Sequence, residues 1–292
     1  MSASLRSPER RVLVAIPVWN GRSVLARCLE GLQAARVRAC WRLLILDDAS
    51  TDPEVPELCR DYVLSTQRAF EAQYRRNAVN RGFTANVNQA IAALRPAEHL
   101  VLLNSDTRVT RGWLDEMLET ANEAENNAPA AIGTVTPFSN NATICSWPDF
   151  SREWPMPSPE EAERIAALLA SERVPSIDLP TGVGFCMLIT RDCLDAVGAF
   201  DEAAFPRGYG EENDFCRRAV KRGFRNVLCP NAYVAHEGSV SFSMQREALM
   251  RDGAAALLAK HPDYNDIVQS WIAQDPAAPR RRWLSERLNR GA

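Results

Sequence analysis

Short unbroken apolar runs alternate along this chain with longer stretches in which apolar residues recur at helical spacing. Val12-Leu13-Val14-Ala15-Ile16 is the first run. With no polar position on either face, it predicts a strand buried on both sides that stops at Pro17. Ser23 then stands where a helix cap belongs, ahead of an apolar face made by Val24, Leu25, Cys28, Leu29 and Leu32. Trp41 to Leu46 repeats the strand pattern, a helix covers Val55 to Leu64, and Phe70 to Arg76 makes a weaker strand. Asn80-Arg81-Gly82-Phe83 is a loop leading into a helix through Leu94; the strand Leu100 to Leu103 and a helix from Gly112 to Glu125 follow. This alternation predicts an α/β fold with a mostly parallel central sheet flanked by helices.

The second half is less regular. Ile132 to Thr136 reads as a strand, and Pro137 to Pro159 as a Pro- and Trp-rich loop. Loops of that length in compact domains usually carry function. A helix from Pro159 to Glu172, a strand from Gly184 to Ile189 and helices over Arg191–Val197 and Glu211–Arg222 come next. Val227 to Cys229 and Tyr233 to Ala235 are two short strands, the second ending at His236. From Met244 onward the pattern is helical, punctuated by Pro262, Pro276 and Pro279.

Composition narrows the classes. At 292 residues and 46% hydrophobic, the chain can bury one large α/β core with appendages. A net charge of −3 argues against a nucleic-acid partner. The exception is the tail, where Arg280-Arg281-Arg282-Trp283-Leu284, Arg287, Leu288 and Arg290 form a basic amphipathic segment. It reads first as a solvated terminal helix, with peripheral contact to the inner membrane or a partner protein as the alternative. Eight cysteines without a CxxC pair fit buried free thiols in a reducing cytosol better than zinc or disulfides. Arg10-Arg11 leads into only a six-residue apolar run, and no stretch approaches the ~20 apolar residues of a membrane span. The expected location is cytoplasmic.

Candidate chemistry gathers at strand ends. Asn104-Ser105-Asp106 closes Leu100-Val101-Leu102-Leu103 and places a carboxylate at the sheet's carboxyl edge, where open α/β sheets bind ligands. Asp47-Asp48-Ala49-Ser50-Thr51-Asp52 closes an earlier strand; it reads equally as a polar turn capping the next helix or as carboxylates for a base or ribose hydroxyl. Glu211-Glu212-Asn213-Asp214 follows Gly208-Tyr209-Gly210 and opens a helix. One acid there would be ordinary first-turn placement, but three after two glycines point to a proton acceptor. His236, where an apolar strand breaks into a Gly turn, suits a metal ligand beside Asp106. Mg²⁺ takes carboxylate and phosphate oxygens, and softer Mn²⁺ also accepts imidazole. Gly182-Val183-Gly184 lacks the third glycine and following helix of a dinucleotide fingerprint, and neither a P-loop nor a GxSxG elbow is present.

Five motifs in order, Ile16-Pro17-Val18-Trp19-Asn20, Asp47 to Asp52, Asn80 to Phe83, Asn104-Ser105-Asp106 and Gly208 to Arg218, resemble those of family-2 glycosyltransferases of the GT-A fold. The similarity is greatest to the bacterial branch containing rhamnosyltransferases and O-antigen enzymes, and it runs from Val12 to about Phe242. It implies a GT-A domain over 1–243, with a nucleotide half over about 10–107, an acceptor half over about 108–243 and a helical extension over 244–292. By the same resemblance Pro17, Trp19, Asn20 and Asp48 hold the nucleoside, with Asp48 on the base. Arg81, Gly82 and Asn88 line the nucleotide pocket, and Asn104-Ser105-Asp106 stands at the Asp-x-Asp position. Asp106 and His236 would carry Mn²⁺ or Mg²⁺. Glu212 aligns with the family's catalytic Asp, with Glu211 beside it, and Gly182, Tyr209, Gly210 and Asp214 fall on the acceptor side. The implied activity is inverting transfer from a UDP- or dTDP-sugar to a saccharide or lipid-linked saccharide acceptor in bacterial surface glycan synthesis. The alternative is an inactive sugar-nucleotide-binding subunit of a larger assembly.

Overall fold

A computed structural model describes residues 11–123, 130–238 and 244–290, so the expected helix end at Glu125 and the domain boundary at 243 lie outside the described residues. Strands β1 (Arg11–Val18), β2 (Trp41–Asp47), β3 (Glu71–Arg76) and β4 (Glu98–Leu103) alternate with helices α1 (Arg22–Ala34), α2 (Glu54–Thr66) and α3 (Phe83–Ala92). The second half adds β5 (Thr107–Val109), α4 (Trp113–Ala121), β6 (Ile132–Phe138), α5 (Pro159–Ser171), β7 (Ile177–Leu179) and β8 (Cys186–Ile189). Then come α6 (Arg191–Val197), α7 (Glu211–Lys221), β9 (Arg225–His236), α8 (Met244–Lys260), α9 (Tyr264–Gln274) and α10 (Ala278–Arg290).

The sheet order is β3-β2-β1-β4-β8-β6-β9-β5, with β7 also on β9. The first four strands are mutually parallel, whereas β8 joins β4 and β6 antiparallel. Alternate residues feed two cores. Val12, Val14, Ile16 and Val18 of β1 face a cluster shared with α1, α2, α4 and α5. Leu13 and Ala15 face a second one shared with α3, α6 and α7. Covering on both faces is why β1 reads as a continuous apolar run.

Three expectations shift locally. The first strand does not stop at Pro17. The Val18 carbonyl accepts from the N–H of Asp48, just past β2, at 2.8 Å, so Pro17 addresses the β4 side, where pairing has already ended at Ala15. The missing N–H of Pro17 therefore costs no ladder bond. Gly21, not Ser23, is the N-cap of α1, in the left-handed conformation at φ 73°. The two late strands are one, because β9 runs unbroken from Arg225 to His236 and pairs with β6, β7 and β5 along its length.

The tail is not a solvated helix. Arg280 and Arg281 are buried, at 6% and 4% exposure. Arg280 donates to the carbonyls of Leu169, Glu172 and Pro230; Arg281 donates to those of Ser146 and Ile144 and pairs with Asp275. A guanidinium is a rigid fork of five donors, so two of them can fasten a helix to several loop carbonyls at once. All eight cysteines are free thiols and only Cys40 is exposed. Among the described residues no helix is long and apolar enough to cross a membrane.

Candidate active site

Strand order puts the site where it does. From β1 the chain winds outward through β2 to β3, then returns to place β4 on the opposite side of β1. That reversal leaves a crevice outside the carboxyl ends of β1 and β4, the usual ligand position in such sheets. Trp19-Asn20, Asp47-Asp48 and Asn104-Ser105-Asp106 all leave strands at this edge.

Asn20 is the organiser of the first wall. At φ 60° it turns its amide into the next loop, where its carbonyl Oδ1 accepts from Thr51 N–H at 2.8 Å and Asp52 N–H at 3.0 Å. Its own N–H donates to Ser50 Oγ at 2.8 Å. Trp19, beside it, is 61% exposed, an unusual state for an indole unless something stacks on it. Asp48 is 3% exposed and accepts from Arg81 N–H at 2.8 Å, Gly82 N–H at 2.9 Å and Asn77 Nδ2 at 2.8 Å. Asp48 thus pins the loop that carries exposed Arg81 at the mouth of α3. Gly82 sits at φ 87°, and a Cβ there would run into the Pro206 carbonyl. Gly82→Ala is expected to cost at least about 1–3 kcal/mol from the backbone conformation alone. Urea melts check this; a loss within experimental error would mean the loop has room to move.

Asp106 and His236 meet through sheet register. β5 runs antiparallel to β9 with Thr107 opposite His236, and the Asp106 carbonyl accepts from Glu237 N–H at 3.0 Å. Asp106 Oδ1 lies 3.3 Å from His236 Nε2. The ring stacks on Phe185, with centroids 5.1 Å apart, and its Nδ1 faces the Asn141 carbonyl at 2.6 Å. Nδ1 therefore carries a proton, and Nε2 is left to face the carboxylate. Burial pushes the imidazole's pKa down, but the hydrogen bond and charge of Asp106 outweigh it and hold the pKa above its ordinary value. The pair favours positive charge between its two atoms. A proton meets that demand, and so would a divalent cation. Among the described residues no cluster of three or more His, Cys, Asp or Glu side chains gathers. Two protein ligands fit Mg²⁺ or Mn²⁺, which complete their shells with phosphate oxygens and water.

The second centre lies at the head of α7. Gly208, Tyr209 and Gly210 have consecutive positive φ values of 89°, 65° and 136°. This turn is affordable at the glycines and strained at Tyr209, which stays 38% exposed. It aims Glu211 inward, where Oε2 accepts from Gly210 N–H at 3.1 Å, and leaves Glu212 half-buried against Gly184. Burial raises both carboxyl pKa values, Glu211 the more strongly because Glu212 also repels its charge. Gly184 precedes Phe185, whose carbonyl accepts from Asn104 N–H at 2.8 Å and whose ring lies on His236. One short segment, 184–185, therefore joins the Glu212 centre to the Asp106–His236 centre.

Not every expected residue joins this group. Asn88 is on α3 but turned away: its amide bonds Phe200 N–H at 3.0 Å, the Phe200 carbonyl at 2.9 Å and Glu202 at 2.8 Å. Asp214 is fully buried, accepting from Arg218 Nε at 2.7 Å, Lys260 Nζ at 2.8 Å and His261 Nε2 at 2.9 Å. Burial opposes its charge, but these three donors hold its pKa below the usual range. Gly182 is packed between Met187 Sδ and Thr136 Oγ1, 2.8 and 3.2 Å from where a Cβ would stand. Residues that the sequence did not single out do reach the site. Asn140 and Asn141 hold His236 from behind. Thr181 and Tyr264 both bond Asn213 Oδ1 at 2.9 Å, next to Glu212. The pair Asn140-Asn141 just after an apolar strand was the available signal; Tyr264, from a later helix, offered none.

The strand order, with a carboxylate–imidazole pair and a carboxylate of raised pKa at one edge of the sheet, is that of a GT-A-like fold. Residues 13–198 match the family model described as glycosyl transferase family 2. The chain belongs to that family. It is 27% identical over 257 residues to the pre-mycofactocin glycosyltransferase of Mycobacterium tuberculosis, covering 87% of this chain and 49% of that one. It is also 27% identical over 261 residues to the N-acetylglucosaminyl-diphospho-decaprenol L-rhamnosyltransferase of the same species, covering 81% and 77%. The chain spans about half the length of the first curated relatives it matches. Among solved structures, GalNAc-T7 with UDP, GalNAc and Mn²⁺ superposes with a TM-score of 0.64 at 14% identity, over 95% of this chain and 55% of that one. At that identity the likeness speaks for the fold.

Proposed function

We propose that this chain transfers a sugar from a UDP- or dTDP-linked donor to a saccharide or lipid-linked saccharide acceptor, with inversion, in bacterial surface glycan synthesis. The observation that carries the reading is the pairing of Asp106 with His236 across the crevice edge from Glu212, all joined by 184–185.

In this reading the base stacks on exposed Trp19, and Asp48 shapes its pocket by holding the Arg81 loop. The diphosphate lies over Asn104-Ser105-Asp106. Asp106 and His236 would hold Mn²⁺ or Mg²⁺, which when bound neutralises charge on the leaving diphosphate. Glu212 accepts the proton of the acceptor hydroxyl as that oxygen attacks the anomeric carbon. Glu211 lies buried beside it, its carboxyl held by Gly210 N–H. Tyr209 and Gly210 border the acceptor's entry. The similarity to an N-acetylglucosaminyl-diphospho-decaprenol L-rhamnosyltransferase supports the choice of a lipid-linked saccharide acceptor. A thermal-shift screen across nucleotide sugars with and without Mn²⁺, followed by product analysis of any stabilising donor, tests it. A UDP- or dTDP-sugar that stabilises the protein only with Mn²⁺ and yields an inverted glycoside is expected. Stabilisation by no nucleotide sugar, with or without metal, would overturn it.

A further inference from the structure

We infer that Asn140 is the positioning residue of His236, and that it ties the imidazole to the 147–157 loop so that the two are ordered together. The inference deepens the reading above, since it concerns how one of its residues is held.

β6 and β9 pair as far as Phe138 opposite Tyr233, and there the backbone ladder ends. Two residues past Phe138, the side chain of Asn140 continues it, opposite a residue three further along β9. Its Oδ1 accepts from His236 N–H at 2.8 Å, and its Nδ2 donates to the His236 carbonyl at 2.8 Å. A carboxamide has the same donor and acceptor as a peptide group, so it replaces a strand residue on the side of β9 opposite β5. The same Nδ2 also donates to the Trp154 carbonyl at 2.9 Å. Asn140 is 3% exposed, and removing it would take away the partner of all three partly buried groups.

The neighbouring residue acts on the ring. The Asn141 carbonyl takes the Nδ1 proton of His236, leaving Nε2 toward Asp106. Isolated imidazole carries no such obligation, so the tautomer is imposed by where Asn140 holds this short segment. Gly238 closes the arrangement, because a Cβ there would strike Asn141 Nδ2. Behind the segment, Arg281 bonds the Ser146 carbonyl at 2.7 Å, and Trp147 Nε1 bonds Ser285 Oγ at 3.1 Å. The carboxyl-terminal helix therefore braces the loop whose other end grips His236. Loss of such outer partners typically lowers metal affinity ~10–100-fold.

The chain has three histidines, so ¹⁵N-histidine spectra of the metal-free protein can resolve His236. Above its pKa, the wild-type ring is expected to be the Nδ1–H tautomer. The Nε2–H tautomer in wild type would by itself overturn the inference, whatever the variants do. Asn140→Ala, and Asn140→Asp as the variant that keeps volume and the acceptor for His236 N–H, should both mix the tautomers. Both should also raise hydrogen exchange across 147–157 and weaken Mn²⁺ binding in the presence of UDP by ~10–100-fold, read by electron paramagnetic resonance. Folded variants with an unchanged tautomer and unchanged loop exchange would refute it. If the tautomer and loop respond while neither protein binds Mn²⁺ with UDP, the positioning role stands and the metal-dependent reading of the site fails.

Discussion

Glu212→Gln is expected to lower kcat for sugar transfer by ~10²–10⁴-fold while leaving donor binding nearly unchanged. The amide keeps the shape of the carboxylate, but it cannot take a proton from an acceptor hydroxyl. Glu211→Gln should cost far less, because burial already favours the neutral form of Glu211, and an amide keeps an oxygen that can accept from Gly210 N–H. The pH dependence has a definite sign. Burial raises the Glu212 pKa, and only its ionised form can act as a base, so kcat/KM should rise with pH through a limb displaced upward from the ordinary glutamate range. In Glu212→Gln that limb should vanish with the activity. Steady-state kinetics on both variants, with donor affinity measured by calorimetry, decide the matter. If Glu211→Gln proves the more damaging, the base is Glu211. Unimpaired transfer in both would remove α7 from the chemistry.

Much of this arrangement is written locally, and that part was readable. A strand buried on both faces has to be continuously apolar, so β1, β2 and β4 announced themselves, and the polar residues that end them marked the crevice. Asp106 follows β4 and His236 ends β9, whereas Glu212 stands in the first turn of α7. What stayed illegible depends on partners distant in sequence. β5 is three residues long and exists because β9 runs beside it. Asn88 and Asp214 matched motif positions, yet their side chains are engaged by Phe200 and by Lys260 and His261, which only the folded chain brings near. The arginine-rich tail looked like surface because single charges usually are. Arg280 and Arg281 are inside because carbonyls left over at loop and helix ends needed donors.

Asp106→Ala should abolish the metal-dependent part of nucleoside diphosphate binding without unfolding the protein. The structural cost is small: the Asp106 side chain is partly exposed, and the turn is held by backbone bonds, from Thr107 N–H to Asn104 O at 3.3 Å and from Glu237 N–H to Asp106 O. In wild type, UDP or dTDP at about 100 times its dissociation constant with Mn²⁺ should add ~2.7 kcal/mol of stability. For a chain of this size that corresponds to a rise in Tm of roughly 4 °C. Asp106→Ala should lose most of that rise, and what remains should be indifferent to metal, because stacking on Trp19 needs none. His236→Ala should keep part of the effect and shift the preference toward Mg²⁺, since removing an imidazole leaves an all-oxygen site that no longer favours the softer ion. An Asp106→Ala protein whose Tm still climbs with UDP in a Mn²⁺-dependent way would place the metal elsewhere, and the pair at the end of β9 would then be a structural ion pair that orients the Glu237 turn.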